Sequence, residues 1–105
     1  MSINFELKKW EYLKNYRSVC SDVYRRVKVI DKYARVFVFG SVLSGEVTAS
    51  SDIDILILEN NTNLKDQIYI KILKDIDAPV ELHIVNDQGF NWYKNFSENM
   101  EEVLS

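Results

Sequence analysis

The segment Val36-Phe37-Val38-Phe39-Gly40-Ser41, followed after ten residues by Asp52-Ile53-Asp54 at the head of an apolar run, constrains this chain more than any other feature. Its branched and aromatic residues read as a buried strand, which Gly40 ends. Without a Cβ, glycine lets the backbone turn sharply and approach a ligand. Ser41 then offers a hydroxyl and a main-chain N–H at the start of a short helix, an arrangement suited to anions. Ser51 and Asp52 open a second strand, Ile53 to Leu58. Side chains at i and i+2 of a strand point the same way, so Asp52 and Asp54 address one site. They lie roughly 7 Å apart along the strand by backbone rise, close enough to share metal ions held about 3.5–4 Å apart. Mg²⁺ is the expected ion, because it takes octahedral oxygen ligands and is commonly held by one or two carboxylates plus substrate phosphates. Together the turn and the acid pair are what a metal-dependent reaction on a nucleotide requires.

The rest of the chain supplies the frame. Ile3, Leu7, Trp10, Leu13, Tyr16, Cys20, Val23, Val27 and Ile30 recur at spacings of three or four, the mark of an amphipathic helix. Unbroken from Asn4 to Lys32, that helix would be roughly 45 Å long, longer than a compact domain of this size is wide. Either it breaks near Ser18 to Ser21 or its first turns project. A helix over about Asn63 to Asp75 carries Leu64, Ile68, Ile72 and Ile76 as its inner stripe, and Val80 to Val85 reads as a third strand. After Gly89 a last helix is expected, with Trp92, Phe96, Met100 and Val103 on one face. The expectation is an α/β (α+β) domain in the order α-β-α-β-α-β-α, with a small mixed three-stranded sheet.

Chemistry constrains the pairing. The Gly-Ser turn closes the first strand while the aspartates open the second, so both ends meet at one site only if these strands are antiparallel. A helical crossover makes the second and third parallel and right-handed. Glu81 then comes level with Asp52 and Asp54 as the third acid, a metal ligand or a group that helps deprotonate an attacking hydroxyl. Asp77 is the alternative acid, although its place before Pro79 puts it in a loop. His83 shares a face with Glu81. The preferred reading for it is a half-buried, hydrogen-bonded sheet residue, with substrate contact as the alternative. Ser44 and Gly45 line or cap the phosphate pocket, whereas Ser50 and Ser51 also suit the satisfaction of backbone groups at the strand start.

With FGSVLSGEVTASSDIDILI in place, the chain resembles the minimal nucleotidyltransferases of the DNA polymerase beta superfamily, whose pattern is strand, Gly-Ser, about ten residues, Asp-x-Asp, helix, and a third strand with one more acid. The resemblance covers nearly the whole chain, which reads as a single nucleotidyltransferase domain over residues 1–105. It implies a polymerase beta-like palm fold and transfer of a nucleoside monophosphate, AMP from ATP. Asp52, Asp54 and Glu81 would bind two Mg²⁺ ions and carry catalysis, and Gly40, Ser41, Ser44 and Ser51 would contact the nucleotide. Many relatives have an arginine shortly after the serine; here stand Val42, Leu43 and Ser44. Lys65, Lys71, Arg35 or a partner's residue are the candidates to replace it.

Composition bounds the partners. At 105 residues, 47% of them hydrophobic, one modest core is expected. A net charge of −3 argues against a surface made for long nucleic acid. The lone Cys20 excludes an internal disulfide framework and reads as a core thiol, and no apolar stretch resembles a signal peptide or a membrane span, so a cytoplasmic protein is expected. Larger relatives grip the acceptor with a second domain. Stand-alone domains of this kind resemble antitoxins paired with a small helical HEPN ribonuclease, which family members adenylylate on tyrosine. That is the leading reading. A binding-only antitoxin with a degenerate site is the alternative, and a small-molecule nucleotidyltransferase acting as a homo-oligomer the third. Tyr12, Tyr16, Tyr24, Tyr33, Trp92 and Tyr93 form a partner surface or ordinary core.

Overall fold

The computed structural model describes residues 3–97 and 99–105, with side chains from residue 6 onward. Helices α1 (Ile3–Lys14) and α2 (Tyr16–Ile30) meet at Asn15. The side chain of Ile3, expected in the inner stripe, lies outside the described residues. The break therefore falls earlier than Ser18 to Ser21. Asn15 leaves helical geometry at ψ 33°, and its main-chain carbonyl accepts the N–H of Ser18. An uninterrupted helix of about 45 Å would exceed the 41 Å longest extent of the molecule. Division lets Leu13 join Val19, Cys20, Val23 and Val27 in the core, while Leu7 and Trp10 stay exposed.

Strands β1 (Arg35–Phe39), β2 (Ile53–Leu58) and β3 (Val80–Val85) follow, with the one-turn helix α3 (Ser41–Ser44) after β1 and α4 (Thr62–Asp75) between β2 and β3. As the chemistry required, β1 and β2 are antiparallel and β2 and β3 parallel. The α/β class holds, but the sheet has four strands rather than three, in the order β3-β2-β1-β4. The last helix, α5 (Asp87–Phe96), stops short, and Met100–Val103 form β4, antiparallel to β1. The expected helical stripe thus ran across an element boundary. The physical reason is the open edge of β1, whose unpaired backbone groups need a partner. Glu102 in β4 also receives two hydrogen bonds from the Arg35 guanidinium, at 2.9 and 2.8 Å.

Alternation along the strands sorts the two faces. Val36, Val38, Ile53, Ile55 and Ile57 pack beneath α2 and beneath Ile68 and Ile72 of α4. On the other face α5 lies against β1, with the Phe37 and Phe90 rings 4.7 Å apart. Phe90 and Tyr93, rather than Trp92 and Phe96, are its inner residues; Trp92 and Phe96 are exposed. On this second face Phe37 and Leu56 are buried, whereas Asp54 is half-buried and Glu81 exposed. Among the described residues no helix is long and apolar enough to cross a membrane.

Candidate active site

At the end of β1, Gly40 takes φ 85° and ψ −152°, a region essentially restricted to glycine. A Cβ there would overlap the Asp54 carboxylate. The residue is required on two counts: the turn into α3, and the close approach of that turn to the second strand. Within α3, Leu43 and Ser44 donate their N–H groups to the Gly40 carbonyl. The N–H groups of Ser41 and Val42 stand in the first turn, where a helix offers no partner.

Asp54 lies opposite Phe39 on β1 and opposite Glu81 on β3. Two residues along β3, His83 shares its face, and ligand-capable atoms of Asp54, Glu81 and His83 lie within 4.8 Å of one another. His83 Nε2 is 3.7 Å from Glu81 Oε1, and His83 Nδ1 is 2.9 Å from the Tyr93 hydroxyl. Phe39 closes one side, its ring 5.5 Å from the imidazole. His83 is thus half-buried and hydrogen-bonded, as expected of a sheet residue, but it also belongs to the acid cluster. Burial, helped by a hydrogen bond with Glu81 and by the charges of Glu81 and Asp52, pushes the Asp54 carboxyl up to about 6. Crowded carboxylates of this kind relieve their repulsion by binding a cation. The donor set of oxygens with one imidazole, set against the glycine cradle, fits a divalent metal.

Asp52 precedes β2, and its side chain stays 45% exposed with the Lys9 ammonium 4.0 Å away. Lys9 also donates to the Ala49 carbonyl, which ties α1 to the loop before β2. Ser51 accepts the Thr48 N–H through its hydroxyl, so its side chain is engaged within that loop. Ser44 is exposed, its hydroxyl 3.3 Å from the Ser41 carbonyl. Gly45 caps α3 at φ 79°. Asp77, the alternative acid, is 79% exposed and pairs with Lys8 at 3.0 Å, turned toward α1.

The expected substitutes for the missing arginine are placed elsewhere. Arg35, at the far end of β1, binds Glu102. Lys71 pairs with Asp75, and both it and Lys65 belong to α4, over the other face of the sheet. Lys9 instead stands beside Asp52, and sequence reasoning missed it because no periodicity links residues so far apart in the chain. Tyr93 was legible only as an aromatic. Its spacing from Phe90 places both on one face of α5, which was the available signal.

A sequence profile described as a nucleotidyltransferase domain matches residues 20–103. No curated protein matches the chain. Among solved structures, one described as a candidate nucleotidyltransferase superposes with a TM-score of 0.67 at 26% identity, covering 80% of this chain and 95% of its own. A second so described, from Sulfolobus solfataricus, gives a TM-score of 0.61 at 19% identity over 90% of this chain and 84% of its own, a likeness of fold.

Proposed function

The chain belongs to the nucleotidyltransferase domain family, and from that premise we propose that it transfers a nucleoside monophosphate, AMP from ATP, to a hydroxyl of a separately encoded helical protein. The observation that carries this reading is the register setting Asp54 directly opposite Glu81, beside the Gly40 turn. Asp52, Asp54 and Glu81 would hold Mg²⁺, with two ions in the full arrangement. Ions held by these carboxylates would supply neutralisation of phosphate charge and assistance in ionising the attacking hydroxyl. Ser41 and the amides of the α3 turn would take the outer phosphates, with Ser44 and Ser51 at the rim. The acceptor oxygen bonds to the α-phosphorus, the bridge to the β-phosphate breaks, and pyrophosphate leaves with the electron pair. The hydroxyl proton passes to a carboxylate, for which the exposed Glu81 is the candidate.

The partner favoured by the family resemblance is a HEPN-type ribonuclease and the acceptor a tyrosine on it. Added phosphate charge and bulk near an RNA-cutting site would repel the substrate. A second reading, silencing by binding alone, draws on Val42-Leu43-Ser44 where many relatives carry arginine and on the Lys9 ammonium beside Asp52.

Incubation with α-labelled ATP, Mg²⁺ and the co-purified partner separates the two. The expected result is a mass gain of one or more AMP units on the partner, abolished by Asp52→Asn or Asp54→Asn with folding intact, since lost metal ligands withdraw transition-state stabilisation. Near-normal transfer by either variant would remove these residues from the site. An inhibitory complex of unchanged mass would establish the binding-only reading.

A further inference from the structure

We propose that His83 is itself a metal ligand, held for that purpose by Tyr93, and that the site therefore prefers a first-row transition ion such as Mn²⁺ or Co²⁺ to Mg²⁺. The inference rests on the metal-dependent reading above and adds a nitrogen donor to it. Ligand atoms about 2.1 Å from one octahedral ion stand about 3.0 Å apart when adjacent and about 4.2 Å apart when opposite. The 3.7 Å between His83 Nε2 and Glu81 Oε1 falls inside that range. The 4.8 Å limit on the whole Asp54, Glu81 and His83 group leaves little side-chain adjustment to make.

Tyr93 engages Nδ1 and leaves Nε2 facing the acids. The proposed tautomer is the one in which Nδ1–H donates to the Tyr93 oxygen across the 2.9 Å between them, which leaves the Nε2 lone pair directed toward the carboxylates. Metal-binding imidazoles are characteristically oriented in this way through their second nitrogen. Phe39 and Tyr93 flank the ring, 5.5 and 5.3 Å from it between centroids, and limit its rotation. An imidazole donor raises affinity for transition ions relative to Mg²⁺, which favours oxygen ligands alone.

The chain has a single histidine, so imidazole nitrogen bound to an ion has only one source. The test is electron spin-echo modulation of Mn²⁺ bound to the tag-free protein in nitrogen-free buffer without nucleotide. Imidazole ¹⁴N modulation is expected in the wild type and its loss in His83→Gln, with Mn²⁺ affinity about tenfold or more weaker and Mg²⁺ affinity changed by less than about threefold. Tyr93→Phe should keep the nitrogen signal yet bind Mn²⁺ about 10–100-fold more weakly; unchanged affinity would strip Tyr93 of its positioning role. Mn²⁺ bound without ¹⁴N modulation in the wild type would overturn the ligation by His83 while leaving the carboxylate site standing. Failure of the wild type to bind Mn²⁺ at all would remove both.

Discussion

Asp54 shows how a single side chain sets function against stability. Its carboxyl is pushed up to about 6 from an ordinary 3.8, first by burial and then by Glu81 and Asp52. Between those values the native state holds a proton that the unfolded chain has released, so stability falls as pH rises through the window, and above about 6 the full penalty is present. Asp54→Asn carries no charge at any pH. It should stabilise the metal-free protein at pH 7.5 by on the order of 1 kcal/mol, after allowance for solvent screening, and give no gain from this cause near pH 3. Saturating Mn²⁺ or Mg²⁺ should reverse the order, because binding to the native state alone stabilises the wild type by mass action. Thermal melts at both pH values, with and without the ion, check this; a variant less stable than the wild type at pH 7.5 without metal would refute the crowding. Cys20 presents the contrasting case. It lies 3% exposed, its thiol pushed up to about 11 chiefly by burial, and it is a core residue, as its place in the helical stripe implied.

At the scale of elements, the readable parts were those whose pattern is local. Val36 to Phe39 and Ile53 to Leu58 are apolar runs of strand length, and Ile68 and Ile72 fall four apart on one side of α4. The pattern of α5 misled because Met100 and Val103 continue a helical spacing while their backbone is extended. What recruits them is β1, which would otherwise be an edge strand. A chain ending at Phe96 should therefore lose about 2–4 kcal/mol, from a few ladder hydrogen bonds at about 0.5–1.5 kcal/mol each. It should also self-associate through the exposed edge carrying Val36 and Val38. Light scattering on the eluting protein reads the second effect directly; a monomer as stable as the full chain would show that β4 is dispensable.

At the scale of the whole molecule, one continuous core joins α1, α2 and α4 to the sheet, while α5 packs on the opposite face. Trp10 and Trp92 report from these two sides. In single-tryptophan variants made by Trp10→Phe and Trp92→Phe, fluorescence and far-UV circular dichroism should lose native signal at one common urea midpoint, as a single cooperative domain requires; separate midpoints would divide the chain. The expected partner aromatics split in the same way. Tyr12, Tyr16 and Tyr24 pack against the core, whereas Tyr33 and Trp92 remain exposed. Sequence alone determined the first three strands, the helix between the second and third, and the strand directions that set Glu81 opposite Asp54, because period, turn chemistry and the crossover rule act over short stretches of chain. Tertiary structure alone decided that β4 seals β1, that Lys9 stands by Asp52, and that Tyr93 holds His83. Each of those depends on segments that meet only when the sheet and its covering helices close, and no local regularity records such a meeting.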